Sequence, residues 1–292
     1  MIGLVTVLYK SNGVLEDFIR SLSIQTFKDF HLYIIDNSSA ETDYDHLHSL
    51  LSRYPITSFS IIKNSQNLGV AAANNQGIEQ SLKAGHTHTL LLNNDIEILQ
   101  ETVLEEMYRC ARRRLEVLII PKILFHGTRK IWMAGGKMLV ERGTTDHVGG
   151  WQLDGPEYNI TKYFDYAPTC FMLIDNKLFE EIGLMDSRYF VYYDDTDFIF
   201  RAVKKGYKVY YLPSCEVFHK ESTSTGGMAS YFSIFYMTRN RLFFVRKNYK
   251  GYSFIRAFGL SLFDILRVAR RDYDRKGWKT VGIAIFKGFL MK

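Results

Sequence analysis

The chain has 292 residues, of which 47% are hydrophobic, and this composition excludes intrinsic disorder and is typical of a soluble globular protein. The net charge of +6 is local: residues 239–292 carry 14 lysines and arginines against three aspartates, whereas residues 1–238 carry 23 basic and 28 acidic residues. The sequence shows no secretory signal, no apolar run that could span a bilayer and no close pair of cysteines, so we expect a cytoplasmic protein with reduced thiols.

Short β-rich runs alternate with helix-like segments through residues 1–114. The order is GLVTVLY, LEDFIRSLSIQ, FHLYIIDN, a helix-like patch near 46–53, SFSIIKN, GVAAANNQGIEQSLKAG and HTLLLNN. This alternation predicts a parallel sheet with helices on both faces, and in such sheets ligands bind at the carboxyl ends of the strands.

Polar residues follow each of the first four predicted strands. A single polar strand end is more often a turn or a helix cap. Four of them on one edge of a sheet favour a shared ligand site. The residues are Thr6, Tyr9 and Asn12, then Asp36 and Asn37, then Asn67, then Asn93, Asn94 and Asp95.

The run LLLNNDIEIL at residues 90–99 places Asp95 directly after a buried strand. An unpaired carboxylate is costly away from water, so its presence here indicates a bound partner.

The segment NLGVAAANNQG, residues 67–77, has small side chains at the start of a predicted helix. Small residues let a backbone approach a ligand, and a helix N-terminus offers free N–H groups to phosphate. Asn67, Gly69 and Asn75 are therefore candidate nucleotide-binding residues. Tight packing of the helix on the sheet through its alanines explains the same pattern.

The second half, residues 115–227, is less periodic and contains Trp132 and Trp151 in glycine-rich surroundings. These tryptophans could line an acceptor site, since aromatic rings stack on sugar faces, or they could belong to the core. Asp194, Asp195 and Asp197 precede a helix-like segment that is expected to end at Gly206. One of them could cap the helix, but clustered acids raise one another's pKa, which suits a general base.

His219 follows a strand-like run and precedes a Ser-, Thr- and Gly-rich loop. From the residues alone, a metal ligand and a structural histidine remain equally open.

Six segments in this order resemble the inverting glycosyltransferases of family two, and several of them its rhamnosyltransferase-like branch. They are LVTVLYKSN, IIDNSS, NLGVAAANNQGI, LLLNNDIEI, FEEIGLMDSRYFVYYDDTDFIFRAVKKGY and FHKESTSTG. The resemblance covers residues 1–245 and implies an α/β protein with the GT-A fold: a Rossmann-like, mostly parallel central sheet flanked by helices. It implies a nucleotide-binding half at 1–114, an acceptor-binding half at 115–245 and a basic, amphipathic helical extension at 246–292.

The implied activity moves a sugar from a nucleotide-diphosphate donor, dTDP-rhamnose or a UDP-hexose, to a hydroxyl of a saccharide or lipid-linked acceptor in cell-surface polysaccharide synthesis. By the same resemblance, Asp36 holds the base or ribose of the nucleotide, and Thr6 and Tyr9 line its pocket.

The family's Asp-x-Asp metal motif corresponds to Asn93-Asn94-Asp95, in which Asn93 replaces the first acid. Asp95 is therefore the expected principal ligand of Mn²⁺ or Mg²⁺, with Asn93 beside it and Asn94 near the donor. A single carboxylate is sufficient, because these cations are also held by waters and substrate phosphates. The resemblance places His219 near the metal or the diphosphate.

The family's acidic pair before the late helix corresponds to Asp194-Asp195, and Asp195 is the expected base. Asp194 or Asp197 could instead hold the acceptor. Residues 222–227 are expected to close as a lid over the donor.

In residues 253–272 of the basic tail, Phe254, Phe258, Leu262, Ile265 and Ala269 recur at helical spacing among arginines. This pattern favours peripheral contact with an anionic membrane on its inner face, where a lipid-linked acceptor would be reached; the alternative is a helix packed on the catalytic domain.

Three other functions are compatible with parts of the sequence. A non-catalytic nucleotide-sugar or glycan-binding module on the same fold is the main alternative. A nucleotidyltransferase is disfavoured, because YKSNGVLED lacks a glycine-rich basic loop after the first strand. Specific nucleic-acid binding is not expected.

Overall fold

A computed structural model describes residues 1–11, 13–38, 41–220 and 230–292, with backbone only at 41–44. The strands are β1 Ile2–Leu8, β2 Phe30–Asp36, β3 Phe59–Lys63, β4 His88–Leu92, β5 Ile96–Glu97, β6 Leu118–Phe125, β7 Ile131–Met133, β8 Gly136–Leu139, β9 Thr144–His147, β10 Lys162–Phe164, β11 Phe171–Asp175 and β12 Val209–His219. The helices are α1 Leu15–Ser23, α2 Glu41–Arg53, α3 Val70–Lys83, α4 Val103–Arg114, α5 Lys177–Ile182, α6 Asp194–Lys204, α7 Tyr231–Asn248, α8 Gly251–Asp272 and α9 Arg275–Leu290.

One large mixed sheet runs through the molecule in the order β10-β12-β6-β11-β4-β1-β2-β3. Strands β3, β2, β1 and β4 are parallel, and β12 is parallel to β6, whereas β11 lies antiparallel between β4 and β6. The sheet order confirms the prediction of a mostly parallel sheet for the first half. The carboxyl ends of β1, β2, β3 and β4 therefore meet at one edge.

The predicted strands and helices of the first half are all present. Strands β1 and β4 consist almost entirely of buried residues, as expected for central strands covered on both faces. Helix α3 packs closely on β1, because a methyl group at Gly77 would overlap the side chain of Val5. Ala71 and Ala73 are also buried, so the small residues of this segment serve helix packing.

The less periodic second half forms a hairpin and five strands of the main sheet, which are β6, β7, β10, β11 and β12. Strands β8 and β9 pair as a separate antiparallel hairpin, whose connection contains a short 3₁₀ helix, Val140–Arg142. Helix α6 ends at Lys204, and Gly206 has the positive φ of 96° that such a helix end favours.

The C-terminal segment forms α8 and α9, which pack on α7 and on the hairpin connection. Four of the five apolar positions named from the sequence pack inward: Phe254 and Phe258 contact the main core, and Ile265 and Ala269 belong to a smaller apolar cluster with Val281 of α9. Leu262 is partly exposed. The packing alternative is therefore correct for this set of residues. The domain boundary predicted at 245 falls inside α7.

None of the helices within the described ranges is long and apolar enough to cross a bilayer.

Candidate active site

The carboxyl ends of β1 and β2 bring Thr6 and Asp36 to one edge of the sheet, in adjacent strands where Leu8 is paired with Asp36. Asp36 is 1% exposed, and one of its carboxylate oxygens accepts a hydrogen bond from the backbone N–H of Ser38 at 2.8 Å. The hydroxyl of Thr6 is buried and has no hydrogen-bond partner among the described residues. Tyr9 is half-buried after β1 and is followed by Lys10, whose φ is +52°.

A network of amide side chains lies beside this edge. The Asn37 amide donates to Asn67 at 3.2 Å, and Asn64 donates to Asn37 and to Gln76 at 2.8 and 2.9 Å. Asn67 also accepts from the backbone N–H of Gly69 at 2.9 Å. The network fixes the chain between β3 and α3.

Gly69 has φ of 83°, and a methyl group there would overlap the carbonyl oxygen of Phe190. The N–H of Val70 donates to that same oxygen at 2.7 Å. The close approach that this glycine permits is therefore with the backbone of Phe190, and the N–H groups of residues 69 and 70 are already bonded within the protein. Sequence reasoning did not foresee this contact, because Phe190 is 121 positions away.

Asn75 joins α3 to the segment after α5. Its amide donates to the carbonyl of Met185 at 2.8 Å and accepts from the N–H of the same residue at 3.0 Å. Both polar atoms of the side chain thus have protein partners.

The three residues of the Asn93-Asn94-Asp95 motif after β4 lie in three different environments. Asn93 is exposed, and its N–H donates to the carbonyl of Cys170. The amide of Asn94 donates to the Val7 carbonyl at 2.8 Å and to the Ser11 hydroxyl at 2.6 Å, which ties the motif to the end of β1. Asp95 is only 9% exposed.

Asp95 and His219 face each other at the junction of β5 and the end of β12. Oδ1 of Asp95 lies 3.1 Å from Nε2 of His219, but the two atoms do not meet hydrogen-bond geometry. Oδ1 of Asp95 and Nδ1 of His219 are buried without a hydrogen bond among the described residues. Buried polar atoms are normally satisfied, so both side chains have an atom that could bond a ligand.

A divalent cation fits that position. The described residues contain no cluster of three or more His, Cys, Asp or Glu side chains arranged around a metal. A carboxylate oxygen with one further side-chain ligand nevertheless suffices for Mn²⁺ or Mg²⁺ when substrate phosphates complete the coordination.

Asp194 and Asp195 occupy the first turn of α6. Asp194 is buried, whereas Asp195 is partly exposed and accepts hydrogen bonds from the Tyr166 hydroxyl at 2.8 Å and the Thr196 N–H at 2.6 Å. Burial and then the neighbouring charge of Asp195 raise the pKa of Asp194. Burial also raises the pKa of Asp195, while the hydrogen bonds from Tyr166 and Thr196 lower it. The pKa of both acids is therefore raised, and the hydrogen bonds from Tyr166 and Thr196 favour the ionised form of Asp195.

Asp197 has a different role from its two neighbours. It is fully buried, accepts from Arg201 at 2.9 Å and from Lys247 at 2.7 Å, and also accepts from Asn248 at 3.0 Å. The contacts with Lys247 and Asn248 link α6 to the end of α7, whereas the pair with Arg201 lies within α6. The structure thus assigns Asp197 to packing of the helices, a distinction that the sequence left open.

Three residues that sequence reasoning did not single out complete the surroundings of the acid pair. Tyr166 is buried beside Asp195, and burial followed by that charge raises its pKa well above the usual value, so it remains a hydrogen-bond donor. His147 stacks on Tyr166 with ring centres 6.3 Å apart, and burial lowers its pKa. Burial and then the charges of Asp95 and Asp195 raise the pKa of the Cys170 thiol.

An aromatic row connects the metal-binding candidate to the acid pair. The Trp132 ring lies edge-on to His219 at 4.5 Å and to His147 at 4.6 Å between ring centres. Trp151 is exposed and contacts Phe125 instead. No local sequence pattern signals this row, because its members come from β7, β9 and β12.

Backbone strain lies next to the acid pair. Tyr192 and Tyr193, directly before α6, have φ of 62° and 68°. Such conformations cost about 1–3 kcal/mol each for residues with a side chain and cluster at functional sites.

One surface pocket lies away from these residues. It is lined by Glu97, His126, Arg129 and Phe218, among others. Phe218 and His219 point to opposite faces of β12, so this pocket is separate from the Asp95 edge.

Several residues of the sequence predictions lie outside the described residues. They are Asn12, Ser39 and the proposed lid at 222–227.

The chain matches the profile of glycosyl transferase family 2 over residues 4–181. It therefore belongs to this family, and it is a glycosyltransferase.

Two characterised relatives agree with this class. It is 26% identical over 240 residues to the low-salt glycan biosynthesis hexosyltransferase Agl10 of Haloferax volcanii, covering 74% of this chain and 76% of the relative. It is 24% identical over 246 residues to the N-acetylglucosaminyl-diphospho-decaprenol L-rhamnosyltransferase of Mycobacterium tuberculosis, covering 77% and 78%.

Solved structures of distant sequence show the same fold. Staphylococcus aureus TarS 1-349 in complex with UDP has a TM-score of 0.61 at 12% identity, covering 98% of this chain and 79% of TarS. The Pyrobaculum calidifontis mannosyltransferase PcManGT, in complex with GDP-Man and Mn²⁺, has a TM-score of 0.58 at 9% identity, covering 99% and 86%. The architecture is the GT-A fold.

Proposed function

We propose that this glycosyltransferase is metal-dependent and inverting, and that it moves a sugar from dTDP-rhamnose or a UDP-hexose to a hydroxyl of a saccharide or lipid-linked acceptor in cell-surface polysaccharide synthesis. The observation that carries the proposal is the pair formed by Asp95 and His219, each with a buried atom that has no hydrogen bond among the described residues, at the same sheet edge as Asp36. Structures of similar fold that contain nucleotides or Mn²⁺ support it.

The nucleotide would bind at the ends of β1 and β2. Asp36 would accept hydrogen bonds from the base or ribose, with Thr6 and Tyr9 lining the pocket. The hydroxyl of Thr6, which has no partner within the described ranges, would be available for a polar contact. Asn67, Gly69, Asn75 and Asn94 would contribute mainly by holding α3 and the end of β1 in place.

Asp95 and His219 would hold Mn²⁺ or Mg²⁺, with Asn93 beside them at the exposed end of β4. When bound, such a cation neutralises charge that develops on the departing nucleoside diphosphate. Burial of both side chains fixes their orientation before the donor arrives.

Asp195 would act as the general base. It would take the proton from the acceptor hydroxyl while that oxygen attacks the anomeric carbon from the face opposite the diphosphate, which inverts the configuration. Tyr166 and Thr196 orient the carboxylate and stabilise its ionised form. Asp194, which favours the protonated state, would hold the acceptor or the base in position.

The acceptor side would lie along the row formed by Trp132 and His147, because aromatic rings pack well on sugar faces. The mycobacterial relative acts, by its name, on a decaprenol-linked saccharide. We extend a lipid-linked acceptor to this chain, together with a cytoplasmic location peripheral to the inner face of the membrane.

The experiment begins with thermal unfolding in the presence of Mn²⁺ and a panel of UDP-, GDP- and dTDP-sugars, to identify the donor. Release of the nucleoside diphosphate is then measured with a membrane lipid extract as acceptor. We expect Asp95→Asn to lose the Mn²⁺-dependent stabilisation by the donor. Asp195→Asn should keep that stabilisation but lose at least about 100-fold in turnover, the usual contribution of a general base.

The matched control is Asp45→Asn, which removes an exposed carboxylate from α2. It should behave as the unmodified protein. Undiminished turnover in both site variants would overturn the proposed mechanism. Donor binding without any turnover would favour the non-catalytic binding module.

A further inference from the structure

Helix α8 exposes an apolar stripe that the sequence pattern did not identify. Its inward positions are filled by Ala257, Ser261 and Ile265, as expected for a packed helix. On the opposite side, large apolar residues recur at helical spacing in contact with solvent. They are Tyr252, Ile255, Phe263 and Leu266, and Phe263 is 61% exposed.

Helix α9 has the same division of faces. Gly277, Val281, Ala284 and Gly288 are buried, and a methyl group at Gly288 would contact the backbone of Arg239 in α7. The solvent side carries Ile283, Phe286, Phe289 and Leu290, of which Phe286 is 63% exposed. The two helices are neighbours, since the rings of Phe258 and Phe289 lie 5.4 Å apart.

Basic side chains surround these stripes. Residues 251–292 contain nine lysines and arginines and three aspartates. One of these acids, Asp264, is largely buried and paired with Arg142 at 2.7 Å and Arg241 at 2.9 Å, so it does not offset the charge at the surface. The surface that results, here called the α8–α9 face, is defined by the eight exposed apolar residues and the flanking Arg267, Arg270, Lys279 and Lys287.

The α8–α9 face is rigidly connected to the acid pair. The Ser261 hydroxyl donates to the carbonyl of Arg142 at 2.7 Å, which holds α8 against the β8–β9 connection. The Tyr193 hydroxyl donates to the carbonyl of the next residue, Gly143, at 3.0 Å. Tyr193 directly precedes Asp194, and the same hairpin carries His147 beside Asp195.

We propose that the α8–α9 face docks on the surface of an anionic lipid bilayer and presents the acid pair to a lipid-linked acceptor. This inference rests on the proposed function, because only a membrane-bound acceptor requires it. Exposed aromatic and aliphatic side chains enter the boundary between headgroups and acyl chains, and basic residues are attracted to anionic headgroups. A soluble acidic partner would match the charge but not the eight exposed apolar side chains.

The test is sedimentation of the full chain with vesicles of phosphatidylcholine alone and of phosphatidylcholine mixed with phosphatidylglycerol. We expect binding to the mixed vesicles that weakens as salt is added. The double variant Phe263→Ser with Phe286→Ser should bind at least tenfold more weakly. The matched control, Leu153→Ser with Ile160→Ser, removes two similarly exposed apolar side chains outside α8 and α9 and should bind as the unmodified chain.

Donor binding separates this inference from the proposed function. Without vesicles, donor and Mn²⁺ should stabilise four proteins equally against thermal unfolding. They are the unmodified chain, the phenylalanine double variant, the Leu153→Ser with Ile160→Ser control and the Asp45→Asn control. Three results would overturn the docking proposal while leaving sugar transfer intact. They are equal binding to both kinds of vesicle, no binding to either kind, and binding that the Phe263→Ser with Phe286→Ser variant does not weaken. Light scattering that shows a dimer which the phenylalanine pair dissociates would also overturn it, because a second copy would then cover the face.

Discussion

At the scale of single residues, the hydrogen bond from Tyr166 to Asp195 sets the working pH range of the proposed base. The bond stabilises the ionised carboxylate and so lowers the pKa of Asp195 against the effect of burial. Tyr166→Phe removes this donor, and the pKa of Asp195 should rise. Because the base must be ionised, we expect the acidic limb of the turnover profile to move to higher pH by about one to two units, from about 1.5–3 kcal/mol for a hydrogen bond to a charged group.

The groups that face Asp195 are Tyr166, His147, Asp194 and Cys170, and only the first is altered by this variant. The measurement is turnover against pH at saturating donor. Tyr207→Phe is the control, since its hydroxyl donates to Glu181 at 2.8 Å in an exposed pair. An acidic limb unchanged in Tyr166→Phe would show that Asp195 is not the group that titrates.

Individual residues also show which parts of the site could be predicted from the sequence and which could not. Polar residues near the ends of the first four strands predicted a shared site at one edge of the sheet, because parallel strands end at the same edge. Thr6, Asp36 and Asp95 do lie at or near strand ends on that edge. The three acids of α6 could not be ranked, because the difference between Asp195 and Asp197 depends on Tyr166 and Lys247. Neither contact has a local signature in the sequence.

At the scale of secondary-structure elements, Gly69 fixes the start of α3 against the segment that leads to the acid pair. Gly69→Ala combines an unfavourable φ of 83° with overlap on Phe190, whereas Gly85→Ala, at φ of 72°, meets no atom within 4 Å. We expect Gly85→Ala to lower the free energy of unfolding by about 1 kcal/mol through backbone strain alone. Gly69→Ala should cost about 1–3 kcal/mol more, through overpacking.

Urea denaturation of the two variants measures this difference, and donor binding provides a second result. Gly69→Ala should also weaken donor binding, because the displaced Phe190 segment leads directly into α6. Equal destabilisation by the two substitutions would mean that the contact between α3 and Phe190 is not tight in solution.

The ion pair of Asp197 with Lys247 holds α6 against α7. Asp197→Asn removes the charge that faces Arg201 and Lys247 in a buried position, and loss of one partner of a buried pair typically costs about 3–5 kcal/mol. Arg53→Ala breaks an exposed pair with Glu16 and should cost less than about 1 kcal/mol.

Denaturant unfolding of both variants checks this expectation. In folded Asp197→Asn, stabilisation by donor and Mn²⁺ should persist, since Asp197 lies away from the sheet edge. A loss of turnover without loss of stability would instead place Asp197 among the reacting groups.

At the scale of the whole molecule, the order of strands and helices in the first half followed from periodicity, because each element there has one clear apolar pattern. The second half could not be derived in this way. Its hairpin is short, and its strands β6, β11 and β12 pair across long separations. The tail could be predicted only in part. Most of the apolar set that recurs at helical spacing packs inside. The exposed apolar set, including Phe263 and Phe286, was not recognised, because basic residues lie among its members.

The proposed mechanism requires a cation held between Asp95 and His219 at the nucleotide edge of the sheet. Crystals grown with Mn²⁺ and the nucleoside diphosphate of the identified donor would test this directly by anomalous scattering from manganese. We expect one manganese peak bonded to both side chains and to the diphosphate. An ordered nucleotide whose manganese contacts neither Asp95 nor His219 would contradict it.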